Sequence, residues 1–307
     1  MDRIDLPVAD RIDVPVAGGT LAAFRFSPDG GSAPVIAIHG ITANSREWLA
    51  VARELEGRAT LLAVDLRGRA ASRELPPPFG MEAYSRDMLA VMDQVGLARA
   101  VLVGHSLGGY AVARFAADHP ERVAAVVLVD GGLTLPVPAG VDPQAVTAAV
   151  LGPALARLRL TFDTPEAYHD WWRAHPAFAR SSDVLDADLV AYADHDLVGD
   201  RSSVSEAVVR ADAAELLSIG EAAHRLAVPA ELVCAERGML DDPNPIQPPA
   251  LAQAWADAAP ATRSTQRVAG VNHYTIVMGA TGAGVVANAI VRALQSPAKG
   301  PGLGSDG

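Results

Sequence analysis

The stretch that most constrains the fold of this chain is Val101–Asp118, which combines three elements. Val101–Val103 is a short β-branched run typical of a buried strand, and Tyr110–Asp118 has the residues of a helix. Between them, Gly104–Gly108 reads Gly-His-Ser-Leu-Gly, with glycines where a side chain would clash in a tight turn. This order predicts that Ser106 lies at the tip of the turn, in front of the N–H groups that begin the helix.

The rest of the chain predicts a sheet that contains this stretch. Apolar runs occur at Ala33–Gly40, Ala59–Asp65, Val123–Asp130 and Ala230–Ala235, and we expect the last strand at Thr265–Gly270. Segments with helical patterns lie among them, the first at Asn44–Glu56. Strands that are apolar throughout are typical of a parallel sheet that is covered by helices on both faces. We therefore expect an α/β fold with a mostly parallel sheet.

An octapeptide at the start of the chain is repeated almost letter for letter, at residues 2–9 and 10–17. An even period keeps the same residues on the same face of a strand, so either copy fits one position in a sheet. We expect the second copy to form the first strand, with Gly18–Gly19 as a hairpin turn, and the first copy to lie on the surface. The role of the duplication stays open.

Together these motifs resemble the α/β-hydrolase fold superfamily. The matching pieces are His39–Gly40, Asp65–Gly68, Gly104–Gly108, Asp118–Arg122 and Gly270–His273. The turn Gly104–Gly108 corresponds to the family's nucleophile elbow, and the helix that follows it is the elbow helix. The resemblance covers about residues 10–130 and 226–294. It implies a mostly parallel eight-stranded sheet flanked by helices, with a core formed by residues 1–131 and 223–295. It also implies an α-helical cap inserted at residues 132–222, and we expect residues 296–307, rich in Gly, Pro and Ser, to be a disordered tail.

The segment at 132–222 has the character of such a cap. Strand-like runs stop, and helical stretches follow at about 143–160, 164–174, 186–196 and 205–217. The segment also holds a large share of the aromatic residues of the chain. We expect one or two of these rings to line a substrate pocket, with Tyr168, Trp171 and Trp172 as the candidates. The alternative is that the rings only pack the cap onto the core.

The resemblance also assigns catalytic roles to single residues. A serine hydroxyl is a poor nucleophile unless a base removes its proton, so Ser106 needs a histidine partner. His273 follows the last predicted strand and precedes the last predicted helix, where the family has its base. The implied oxyanion hole consists of the backbone N–H groups of Leu107 and Ile41. His39 and His105 lie in motifs where the family has supporting, non-catalytic histidines.

The acid of the triad has two possible positions. Many relatives carry an aspartate after the penultimate strand, but this chain has Gly238 there, with Glu236, Asp241 and Asp242 nearby and out of register. A second position in the family directly follows the strand after the elbow helix, and Asp130 occupies it. We predict that Asp130 is the acid, and the three other carboxylates remain alternatives.

Composition excludes several classes of function. The formal net charge of −11, without a basic stripe, argues against nucleic acid as a partner. We find no apolar run of membrane-spanning length and no apolar segment of a signal peptide. Cys234 is the only cysteine, so no disulfide can form within the chain, and we expect a reducing compartment and a cytoplasmic location. With no metal-ligand cluster or phosphate-binding loop, we expect no metal and no cofactor.

The predicted reaction is the hydrolysis of a carboxylic ester or lactone through an acyl-enzyme, with a small hydrophobic substrate. A serine at the elbow argues against epoxide hydrolases and dehalogenases, because the resemblance implies that family members of these two classes have an aspartate at this position. The alternative reactions are hydrolysis of a carbon–carbon bond or of a thioester. A different class, a ligand receptor on the same scaffold, also stays open, as does the oligomeric state.

Overall fold

The computed structural model describes residues 9–26, 34–134, 140, 142, 151–259 and 261–295. Residues 2–8 of the first repeat copy, the start of the first predicted cap helix and the predicted tail at 296–307 lie outside the described residues. All statements below concern the described part of the chain.

The described residues form ten strands: β1 (Ala9–Val16), β2 (Gly19–Phe26), β3 (Val35–Ile38), β4 (Leu61–Val64), β5 (Ala100–His105), β6 (Val123–Val129), β7 (Leu197–Val198), β8 (Arg201–Ser202), β9 (Ala230–Ala235) and β10 (Arg263–Val268). Eight of them form one sheet in the order β1-β2-β4-β3-β5-β6-β9-β10. Within this sheet β2 runs in the opposite direction to the other seven strands, which are parallel to one another. The predicted eight-stranded, mostly parallel sheet is therefore confirmed, and the second repeat copy supplies almost all of β1.

The helices are α1 (Leu49–Glu54), α2 (Met81–Gln94), α3 (Leu107–Asp118), α4 (Pro165–Ala174), α5 (Asp186–Asp196), α6 (Glu206–Ile219), α7 (Pro249–Asp257), α8 (Thr275–Met278) and α9 (Ala280–Gln295). Residues 151–157 are also helical. The apolar faces of α2, α3 and α7 pack on one side of the sheet, and those of α1 and α9 pack on the other. The sheet is thus buried on both faces, which explains why its central strands are apolar throughout.

The insert, which we define as residues 151–225, lies between β6 and β9 and contains α4, α5, α6 and the two-stranded ribbon of β7 and β8. Thr164 caps α4 by accepting a hydrogen bond from the N–H of Ala167, as the Thr-Pro start of this helix predicts. The insert contacts the carboxyl edge of the sheet, where Nε2 of His195 lies 2.7 Å from Oδ2 of Asp65, just after β4.

Two buried arginines extend this attachment. Arg157 of the insert binds Asp196 at 2.7 Å and donates to the carbonyl oxygen of Thr42, just beyond β3, at 2.9 Å. Arg69 of the core binds Asp212 of the insert. The Arg157–Asp196 pair lies within the insert, whereas the bond from Arg157 to Thr42 and the Arg69–Asp212 pair join the insert to the core.

Candidate active site

Ser106 lies in the turn between β5 and α3, with backbone angles φ 53° and ψ −118°. Residues other than glycine rarely adopt a positive φ, so the surrounding structure must enforce this conformation. A Cβ atom on Gly104 would lie 2.1 Å from the carbonyl oxygen of Gly108, and one on Gly108 would lie 2.0 Å from that of Ile38. These close contacts exclude any residue with a side chain at both flanking positions, and the turn keeps Ser106 partly exposed at its tip.

His273 follows β10 and begins the short segment that leads into α8. Its Nδ1 lies 2.7 Å from Oδ2 of Asp130, and both side chains are buried. A carboxylate only accepts hydrogen bonds, so Nδ1 carries the proton and Nε2 keeps its lone pair. Burial lowers the pKa of His273 below its ordinary value although the bond to Asp130 raises it, so the ring is neutral near pH 7.

Asp130 follows β6 and has a φ of 44°. Its Oδ1 accepts a hydrogen bond from the N–H of Ala235 at 3.0 Å, which leaves Oδ2 for His273. A Cβ on the next residue, Gly131, would lie 2.3 Å from the carbonyl oxygen of Ser106. The backbone after β6 is thus pressed against the elbow, and the contact between Asp130 and His273 that the sequence predicts is present.

The other candidate carboxylates bind elsewhere. Oxygen atoms of Glu236, Asp241 and Asp242 accept hydrogen bonds from the backbone N–H of Gly270 (2.7 Å), from Nε of Arg237 (2.7 Å) and from the backbone N–H of Asn244 (3.0 Å), respectively. Gly238 has no room for a side chain, since a Cβ atom there would lie 2.5 Å from the carbonyl oxygen of Asn244. The family's usual position for the acid is therefore closed by packing as well as by residue type.

Of the two predicted oxyanion donors, Leu107 belongs to the elbow and Ile41 to the turn that packs against it. Leu107 is the first residue of α3, so its N–H is one of those that helix geometry leaves without an intrahelical acceptor. Ile41 lies in the turn after β3, where Nε and Nη2 of Arg69 donate to its carbonyl oxygen at 3.1 and 2.9 Å. A Cβ on Gly40 would lie only 3.4 Å from Cβ of Ser106, so this turn packs directly on the elbow.

His39 connects two strand ends and is not available for chemistry. Its Nδ1 donates to the carbonyl oxygen of Gly40 at 2.7 Å, and its Nε2 accepts from the N–H of Leu66 at 3.0 Å. Burial lowers the pKa of His39, which keeps the ring neutral. His105 contacts the base itself, because Nε2 of His105 donates to the carbonyl oxygen of His273 at 2.9 Å.

The three candidate pocket residues belong to one aromatic cluster of the insert. Tyr168 is fully buried, and its hydroxyl is bonded to Arg157 and Asp196. Trp172 is also buried, whereas Trp171 is partly exposed. Through Trp172, whose ring centroid is 6.2 Å from that of Tyr274, the cluster reaches the residue next to His273. The contribution of these rings to substrate binding stays a prediction.

Three side chains that were not predicted from the sequence, Arg69, Arg157 and Glu47, contact the turn after β3.

Among the described residues, no three His, Cys, Asp or Glu side chains are grouped so that they could hold a metal ion. In the same part of the chain, no helix is both long enough and apolar enough to cross a bilayer. Cys234 is buried, and burial raises the pKa of its thiol to about 12, which makes it a poor nucleophile.

Residues 33–201, more than half of the chain, match the model of a family described as alpha/beta hydrolase fold. The chain belongs to this family. This α/β hydrolase is 34% identical over 132 residues to a Caulobacter vibrioides protein with the provisional name carbamate hydrolase RutD. The match covers 43% of this chain and 46% of that relative, so the chain spans about half the length of the curated relatives it matches.

Solved structures show the same fold at low sequence identity. The α/β hydrolase superimposes on E-2-(acetamidomethylene)succinate hydrolase with a TM-score of 0.74 and 22% identity, over 94% of this chain and 100% of the other. It superimposes on the enol-lactonase of Burkholderia xenovorans LB400 with a TM-score of 0.64 and 21% identity, over 92% and 100% of the two chains.

Proposed function

We propose that this protein is a serine hydrolase that cleaves a carboxylic ester or lactone through an acyl-enzyme. The observation that carries the proposal is the buried hydrogen bond between His273 and Asp130, at the same edge of the sheet as the strained Ser106 turn. A base held in one tautomer by a buried carboxylate, near a serine at a strand-to-helix turn, is the arrangement that acyl transfer requires.

The proposed reaction has two halves, formation and hydrolysis of the acyl-enzyme, and each of these groups acts in both. Nε2 of His273 takes the proton of Ser106 while Oγ adds to the carbonyl carbon, and Asp130 stabilises the imidazolium. The N–H groups of Leu107 and Ile41 donate to the oxyanion of the tetrahedral intermediate. His273 then gives its proton to the leaving alkoxide oxygen, and a water activated by the same nitrogen hydrolyses the acyl-enzyme. In a lactone the leaving oxygen stays attached to the acyl chain.

We also propose that the insert acts as a cap over this site. Arg157 of the insert is bonded to the carbonyl oxygen of Thr42, one residue after the proposed oxyanion donor Ile41, which supports this placement. The aromatic cluster favours a small hydrophobic substrate. The names of the similar proteins, a carbamate hydrolase and an enol-lactonase, support a carbonyl compound as the substrate.

A substrate panel tests this proposal. Purified protein is assayed with p-nitrophenyl esters of increasing acyl length, with aliphatic lactones and with matched thioesters, and S106A serves as the control. We expect ester or lactone turnover that S106A abolishes. Turnover of the thioesters alone, or an S106A variant that keeps more than a few per cent of the activity, contradicts the proposal. Binding of these compounds without any turnover indicates a receptor instead.

A further inference from the structure

Glu47 is a buried carboxylate that the proposed reaction does not use. It lies in a 3₁₀ turn, Ser45–Trp48, and is 3% exposed. Its Oε1 accepts a hydrogen bond from the N–H of Gly40 at 3.1 Å, and its Oε2 lies 3.3 Å from Nδ1 of His105. One carboxylate therefore joins the turn after β3 to the residue that immediately precedes Ser106.

The contact with His105 requires a proton. Nε2 of His105 faces the carbonyl oxygen of His273, which only accepts, so Nε2 carries a hydrogen. A neutral His105 would then present the lone pair of Nδ1 to the Glu47 carboxylate, and two acceptors repel each other. One proton must therefore lie between Nδ1 and Oε2. Burial lowers the pKa of His105, but Glu47 raises it above its ordinary value, which agrees with this assignment.

We propose that Glu47 is a positioning residue that holds the turn carrying Ile41 against the nucleophile elbow. The proposal rests on the function proposed above, because it concerns the donor that Ile41 supplies to the oxyanion. A Cβ on Gly40 would lie 3.5 Å from Nδ1 of His105, so there is little space between the turn and the elbow. Glu47 bonds both sides of this contact, and through His105 it also reaches the backbone of His273.

The glutamine variant separates geometry from charge. In E47Q the amide oxygen can accept from Gly40, and the amide nitrogen can donate to Nδ1 of a neutral His105, so both hydrogen bonds are kept. In E47A both are lost, and in E47D the shorter side chain cannot span both partners. D87A is the matched control, because Asp87 is equally buried and bonded to Arg67, so its loss removes a buried carboxylate that does not bind this turn.

Two measurements on these variants test the proposal. The first is hydrogen exchange by mass spectrometry of the peptide that contains Gly40, which needs no activity. We expect faster exchange of this peptide in E47A, and exchange like that of the wild type in E47Q and D87A.

The second measurement determines kcat and KM, together with the affinity for phenylboronic acid, each expressed per active site. The boronate adds to Oγ of Ser106 while the hydroxyl proton passes to His273, and it places an oxygen in the oxyanion hole.

For E47A we expect kcat and boronate affinity to fall in parallel by roughly 10–100-fold, less than the loss that follows removal of an oxyanion donor, with KM nearly unchanged. E47Q should restore both quantities to within about fivefold of the wild type, because its hydrogen bonds are re-formed. If E47A does not fold, E47D takes its place, with a smaller loss in the same two quantities.

The role of Glu47 would be overturned if the variants that lose the bonds kept wild-type exchange of the Gly40 peptide, or kept both wild-type kcat and wild-type boronate affinity. It would also be overturned by an E47Q variant as impaired as E47A, or by a D87A variant that shows the pattern expected for E47A, a large loss of kcat with KM nearly unchanged. If the wild type neither turns over esters nor binds the boronate, the proposed function fails, and the exchange measurement still decides whether Glu47 holds the turn.

Discussion

Replacing Asp130 by asparagine removes the charge next to His273 and leaves the shape of the side chain. The N–H of Ala235 donates to Oδ1 of Asp130 at 3.0 Å, and this backbone donor is fixed. The asparagine oxygen must therefore face Ala235, which turns its NH₂ group toward Nδ1 of His273. Nδ1 then accepts, the ring proton moves to Nε2, and His273 can no longer take the proton of Ser106.

This wrong tautomer should cost on the order of 10⁴ in kcat, as for other serine hydrolases that lose the charge of their acid. At 1.36 kcal/mol for each factor of ten, the loss is about 5 kcal/mol of transition-state stabilisation. The fold should survive, because Asp130 has a φ of 44° and asparagine tolerates that region better than most residues. The assay is kcat on a p-nitrophenyl ester, with circular dichroism to check folding.

Asp241 provides a matched control. It also has a positive φ, 60°, and Nδ2 of Asn272, the neighbour of His273, lies 3.3 Å from its Oδ1. D241N should therefore lose less than about tenfold, as should D242N and E236Q, because none of these carboxylates binds His273. A folded D130N variant with near wild-type kcat, or a D241N variant with the larger loss, would refute the assignment of Asp130.

Two further predictions concern the base and the cap. Because burial lowers the pKa of His273 from its ordinary 6.5, and the base acts when neutral, kcat/KM should rise with pH through a midpoint below 6.5. A wild-type midpoint above 6.5 in the pH–rate profile contradicts this reasoning. W171A should change the kcat/KM ratio of bulky to small esters by about 10-fold or more and leave the small activated ester nearly unaffected. Equal losses on both esters in the same assay indicate that Trp171 has only a packing role.

The parts of the structure that the sequence predicts well depend on local patterns. The elbow was found because β5, a glycine-flanked turn and α3 follow each other directly, and α5 begins and ends at the predicted residues Asp186 and Asp196. Asp130 was found because it ends an apolar strand, although its role in catalysis stays a prediction.

Other elements carry weaker local signals. The last strand was predicted at Thr265–Gly270 and lies at Arg263–Val268, because this edge strand is polar in all but its last residue and has no apolar run to mark its start. The ribbon of β7 and β8 has two residues in each strand, too few to show any alternation. The helix predicted over Asn44–Glu56 is split into the 3₁₀ turn Ser45–Trp48 and α1.

The side chains that organise the site by distant contacts could not be predicted from pattern at all. Arg157 binds Thr42, which is 115 residues earlier in the chain, and Glu47 faces His105 across 58 residues. A buried contact between such distant residues leaves no periodic signature. Its partners become visible only when the fold brings them together.

The central claim is that Ser106 is the nucleophile, and covalent labelling tests it most directly. The protein is treated with a fluorophosphonate, digested, and the adduct is located by mass spectrometry, with S106A treated in parallel. The account predicts one phosphonylated residue, Ser106, loss of hydrolase activity in step with labelling, and no labelling of a folded S106A. Labelling of a different residue, or a Ser106 that stays unmodified while ester turnover continues, would contradict it.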